Sequence, residues 1–81
     1  MNSYYPVDVK PLKNYQLQIT FDNNEVRLFD VKPYLNDEYF APLRNISIFE
    51  SVKIHPISLG WVGDIDMCPD ELYYNSVPCK K

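Results

Sequence analysis

Tyr15-Gln16-Leu17-Gln18-Ile19-Thr20-Phe21-Asp22-Asn23-Asn24-Glu25-Val26-Arg27-Leu28-Phe29-Asp30-Val31 decides the fold. Its first half alternates. Tyr15, Leu17, Ile19 and Phe21 are apolar, and Gln16, Gln18 and Thr20 between them are polar. Successive side chains of a strand point to opposite faces, so this is a strand with one dry and one wet face. Asn tolerates positive φ, so Asn23-Asn24 reads as a two-residue hairpin turn. That turn sets Phe21 opposite Val26 and Ile19 opposite Leu28, in one apolar patch. Residues 26–31 form the returning strand. Phe29 is the misfit, because this register puts it opposite Gln18 on the wet face. Either something covers that face locally, or Phe29 forms an apolar strip on the outer face with Val31, Tyr4 or Tyr5, and such strips mark interfaces.

Before the hairpin, Val7-Asp8-Val9-Lys10-Pro11-Leu12 reads as a first strand, held to a sheet edge by Pro11. An open edge can pair with another chain. Lys13-Asn14 is a turn. After the hairpin, Lys32-Pro33 ends the strand, and residues 34–44 read as a short, proline-interrupted helical segment. Asn36 is its expected cap, with Asp37 and Glu38 in the first turn. Leu35, Tyr39, Phe40 and Leu43 would lie on the sheet.

Residues 49–54 are a fourth strand, His55-Pro56 a turn, and residues 57–61 a fifth strand. Trp61-Val62-Gly63-Asp64-Ile65-Asp66 leads through a tight acidic turn. Pro69-Asp70-Glu71 then opens a helix, with proline at its first position and acids beside it. Residues 77–81 read as a tail. The expectation is one α+β domain over residues 1–81, with its core at about 7–74. It carries a mainly antiparallel sheet of about five strands and one or two short helices.

The bulk composition limits the function classes. The 81 residues are 46% apolar and 15% aromatic, which argues for a folded chain. The core of so short a chain is thin. The net charge of −3, with scattered Lys and Arg, argues against direct nucleic-acid binding and favours a basic protein partner. No Lys or Arg lies between Ile54 and Cys79. The start lacks the charged and apolar regions of a secretion signal, and no run has the length of a membrane span. The expected location is the cytoplasm, where Cys68 and Cys79 are reduced thiols.

No catalytic constellation stands out. Asp64, Asp66, Asp70 and Glu71 are an oxygen-rich set, but the loop pattern of a calcium site fails, with Pro69 at its sixth position. Asp66 reads instead as a turn residue, and Asp70 and Glu71 as helix-start acids. Cys68, Cys79 and His55 lack zinc-ligand spacing. A nucleophile served by His55 has no supporting pattern, and both glycines lie outside any phosphate-binding loop. Trp61, near Tyr73 and Tyr74, reads as a plug that closes the sheet. No catalytic residue, cofactor site or metal site is assigned.

The ordered set Phe21, Phe29-Asp30-Val31, Phe49, Trp61, Gly63, Asp66, Pro69-Asp70, Leu72 and Tyr73 resembles the bacterial domain-of-unknown-function family 2442. The likeness runs from Val7 to Tyr73. It implies a small α+β fold, in a family for which no enzymatic activity is established. Relatives carrying an added helix-turn-helix are longer than this chain. Related domains are encoded beside a second small protein, which implies an antitoxin-like role.

The expected function is therefore a non-enzymatic protein-interaction module, antitoxin-like towards a small co-encoded protein. Self-association is the other partner option. Phe29, Val31, Asp64 and Glu71 are the candidate interaction surface. Trp61, Gly63, Asp66, Pro69, Asp70, Leu72 and Tyr73 are the structural signature. Two alternatives stand beside this. One is an enzyme or a small-ligand or metal binder using the acidic loop from Asp64 to Glu71. The other is a regulatory domain acting with a separate DNA-binding chain.

Overall fold

The computed structural model describes residues 4–55 and 58–79. Pro56 and Ile57, read above as turn and strand start, and the tail lysines Lys80 and Lys81 lie outside the described residues. Among the described residues seven strands make two antiparallel sheets, where one sheet of about five was expected. The larger sheet has the order β1-β2-β3-β7, from Pro6–Pro11, Gln16–Phe21, Val26–Asp30 and Val77–Pro78. The smaller has the order β4-β5-β6, from Lys53–Ile54, Leu59–Trp61 and Ile65–Met67. Two short helices, α1 (Ile46–Phe49) and α2 (Pro69–Tyr74), complete the α+β domain.

The hairpin is present, but its register is one residue away from the expected one. Gln16 pairs with Asp30, Leu17 with Phe29, Gln18 with Leu28, Ile19 with Arg27 and Thr20 with Val26. The turn uses three residues, Asp22, Asn23 and Asn24. The Phe21 N–H donates to the Glu25 carbonyl at 2.8 Å, the Asn24 N–H donates to the Phe21 carbonyl at 2.9 Å, and Asn24 has φ 70°. This is the three-residue alternative to the two-residue turn, with the left-handed residue last.

A one-residue slip moves every side chain of the returning strand to the other face. Phe29 therefore joins Leu17, Ile19 and Phe21, and all four are fully buried. Val31 is fully buried as well. The expected outer strip of Phe29 and Val31 does not exist. Leu28, across from Gln18, and Val26, across from Thr20, take the outer face. The former tail adds Val77, which pairs with Leu28.

One core unites both sheets. It contains Leu17, Ile19, Phe21, Phe29 and Val31 from the hairpin, Leu43, Phe49 and Val52 from the linking segment, and Leu59, Trp61, Ile65, Met67 and Leu72 from the C-terminal part. Trp61 is 5% exposed, and its indole N–H donates to the Phe49 carbonyl at 3.1 Å, so it is a plug as expected. The segment expected to be helical is a run of 3-10 turns at Lys32–Asn36 and Ala41–Arg44, broken between them. The working cap is Asn45, whose side chain accepts from the Ser47 N–H at 2.9 Å, not Asn36. Phe49, expected to begin a strand, ends α1, and only Lys53–Ile54 pairs.

The second hairpin also turns through three residues, since Trp61 pairs with Ile65. Gly63 at φ 96° and Asp64 at φ 63° carry the left-handed backbone there. Ile65 and Met67 beyond the turn are buried while Asp66 between them is exposed, so the acidic turn runs directly into a strand. That strand brings Asp66 up to α2.

Candidate functional site

The two halves of the chain meet along a groove of about 330 Å³. The segment after the first hairpin contributes Tyr34, Asp37 and Phe40, and β6 with the start of α2 contributes Asp66, Met67, Cys68 and Glu71. Each element places its groove residue for a local reason. Pro33 starts the 3-10 turn that carries Tyr34, and the Tyr34 ring rests 5.4 Å from buried Phe29. The Asp37 carboxylate accepts from the Tyr39 N–H at 2.8 Å and fixes the break between the 3-10 turns. Phe40 stands edge-on to Tyr34, with ring centres 5.7 Å apart. Pro69 opens α2, whose first turn presents Glu71.

The polar atoms lock these pieces together. The Tyr34 hydroxyl donates to Glu71 Oε2 at 2.5 Å, and Asn75 Nδ2 donates to the same oxygen at 3.0 Å. The Tyr39 hydroxyl donates to Asp66 Oδ1 and accepts from the Asp66 N–H, both at 3.1 Å. Burial, followed by the Glu71 hydrogen bond and charge, pushes the Tyr34 phenol up to about 12. Tyr34 thus remains a donor throughout the neutral range.

Asp37, Asp66 and Glu71 each use one carboxylate oxygen in these bonds, and the other has no hydrogen-bond donor among the described residues. The two ion pairs among the described residues are Arg27–Glu25 and Lys32–Asp30, so no described Lys or Arg forms an ion pair with a groove carboxylate. Nor do three His, Cys, Asp or Glu side chains among the described residues stand as a group that could hold a metal ion. The groove is an apolar trough with separated negative charges on its rim.

A second polar–aromatic cluster lies where β3 meets the end of α2. Arg27 donates from Nε to Ser76 Oγ at 2.7 Å, from Nη2 to the Ser76 carbonyl at 2.8 Å and from Nη1 to Glu25 Oε1 at 2.8 Å. Its guanidinium carbon lies 4.4 Å from the centre of the Tyr73 ring. The Tyr73 hydroxyl donates to Glu25 at 3.0 and 3.1 Å. Its Arg27 bond, then that of Tyr73, hold the Glu25 carboxyl below its ordinary value of 4.5. This clasp is internally complete: cation, anion and aromatic ring all belong to the chain.

A family model described as "Protein of unknown function (DUF2442)" matches residues 6–78, the span from β1 to β7. The chain belongs to the DUF2442 family. Comparison with curated proteins and with solved structures gave no match.

Within this DUF2442 domain the expected site residues separate. Phe29 and Val31 leave the surface for the core. Asp64 is exposed at the hairpin tip and does not line the groove. Glu71 and Asp66 do line it, so a residue expected to be a turn-former faces the groove. Gly63 and Pro69 shape backbone, Leu72 is fully buried, Asp70 is exposed in the first turn of α2, and Tyr73 belongs to the clasp. Tyr34, Asp37 and Phe40 are the groove residues the sequence reading missed. The available signal was the proline-broken, aromatic-rich run beside Asp37, which cannot form one continuous helix. No helix among the described residues is long and apolar enough to cross a membrane.

Proposed function

We propose that this DUF2442 domain is a non-enzymatic protein-interaction module. Its groove face covers a basic surface of a small co-encoded protein, as an antitoxin covers its partner. One observation carries this reading: an aromatic-walled groove whose carboxylates at Asp37, Asp66 and Glu71 have no cationic partner among the described residues. Unneutralised charge on one face steers a basic partner and orients it. Aromatic and thioether side chains such as Tyr34, Phe40 and Met67 supply the apolar contact on which protein interfaces rely.

Co-expression with the product of the adjacent gene tests the proposal. The expected result is a complex that survives size-exclusion chromatography, with growth inhibition by the partner relieved by this domain. Separate elution, together with a partner that is harmless alone, overturns the reading.

A groove of about 330 Å³ also reaches the lower end of the range for small-molecule pockets. A small organic cation is therefore the second reading. A thermal-shift screen of amines and divalent metals, repeated on Asp66→Ala, separates the two. Stabilisation by a small molecule that is lost in the variant, without complex formation, favours this second reading.

A further inference from the structure

The groove and the clasp share a pair of groups, and they differ in a third. In the clasp, Tyr73 donates to Glu25, and Arg27 lies over the tyrosine ring while donating to the same carboxylate. In the groove, Tyr34 donates to Glu71 in the same way, and no arginine is present among the described residues. Resting on the interaction reading above, we propose that the groove is a receptor for one arginine side chain of the protein partner.

The chemistry of the lining favours arginine over other cations. The carboxylates are too dispersed to enclose a metal ion, but a guanidinium has five N–H donors spread over a plane. Asp66 and Glu71 each offer an oxygen without a donor among the described residues, and Asp37 offers a third. The edge-related rings of Tyr34 and Phe40 give the plane an aromatic surface to stack on. Met67 and Phe40 also line the groove and give apolar surface for the methylene stem. A lysine ammonium is a compact, strongly hydrated charge that neither stacks nor bridges two carboxylates side by side.

Amide NMR titration of the whole domain tests this. The probes are three blocked pentapeptides, each with arginine, citrulline or lysine between glycines. Citrulline keeps the shape of arginine and removes its charge. The arginine peptide is expected to move amides of residues 34–40 and 66–71, with citrulline at least about tenfold weaker and lysine severalfold weaker. Asp66→Asn combined with Glu71→Gln keeps the internal acceptor atoms and is expected to weaken the arginine peptide at least about tenfold. Phe40→Ala is the second variant, checked for folding by its amide spectrum, and it is expected to weaken binding too. Equal binding of arginine and citrulline, equal binding of arginine and lysine, shifts centred on Arg27, or unchanged binding by both variants overturns the proposal. A complex with the adjacent gene product that is indifferent to the double variant overturns this inference and leaves the interaction reading standing. Arginine-selective binding in the groove, with no complex formed, does the reverse.

Discussion

The clasp and the groove are built from the same residue types, and only one of them is closed. Around Arg27 every charged group has its counterpart within the chain, and the aromatic ring of Tyr73 is covered. Around Glu71 the same carboxylate–tyrosine pairing has no cationic partner among the described residues. A satisfied cluster holds a fold together, and removing one member leaves the others exposed to the full cost of desolvation. The groove's hydrogen bonds also tie its pieces together, but its free carboxylate oxygens add little to the fold. Their charge repels itself until something else brings the counterion. The contrast supports the proposal that the clasp serves stability and the groove serves binding.

The largest effect is expected in the core beneath the groove. Phe29 lies under Tyr34 in the core, and Phe29→Ala should cost about 3–5 kcal/mol, measured by urea denaturation. A cost below about 1 kcal/mol would mean that Phe29 is not buried and that the hairpin register is the two-residue one. Next comes the clasp itself. Arg27→Ala removes three hydrogen bonds and the cover over Tyr73, and about 2 kcal/mol of stability should go with it.

Titration separates the ends more finely. The Glu25 carboxyl is held below its ordinary value in the folded chain. Its contribution is present above pH 4.5 and is lost as pH falls through the folded value. Arg27→Ala should flatten that acid limb. The Tyr34 phenol is raised to about 12, so its contribution is complete below pH 10 and is lost as pH climbs towards 12. The Tyr73 phenol is raised by burial and then by Glu25, so each end shares in the alkaline loss. Tyr34→Phe should remove the groove's part and leave the acid limb untouched, as read from unfolding midpoints across pH.

The smallest effect on stability belongs to the groove acids. The Asp66→Asn, Glu71→Gln pair keeps acceptors for Tyr39 and Tyr34, and it should change stability by no more than about 0.5 kcal/mol. A loss above about 1 kcal/mol would move these acids to the structural side and erase the contrast with the clasp.

Much of this arrangement was legible in the chain. The alternation of residues 15–21 announced a strand, and Pro69 followed by two acids announced α2. The register was not legible, because Asn24 serves either a two- or a three-residue turn, and only tertiary packing chooses between them. The misfit of Phe29 was the local trace of that choice. The short strand Ile65–Met67 was hidden behind the acids on either side of Ile65, although the apolar side chains of Ile65 and Met67 already alternated with Asp66. Val77–Pro78 is too short for any periodic signal, and pairing with β3 alone defines it. Half the groove was in view in Asp66 and Glu71. Tyr34, Asp37 and Phe40 lie some thirty residues earlier, and no spacing rule connects residues brought together by a fold.

Isothermal titration of the adjacent gene product tests the division most directly, with wild-type domain and the Asp66→Asn, Glu71→Gln variant measured at equal foldedness. Binding to the wild type that weakens at least about tenfold in the variant is the expected result. Equal affinity for the two proteins would contradict the assignment of the groove as the binding face.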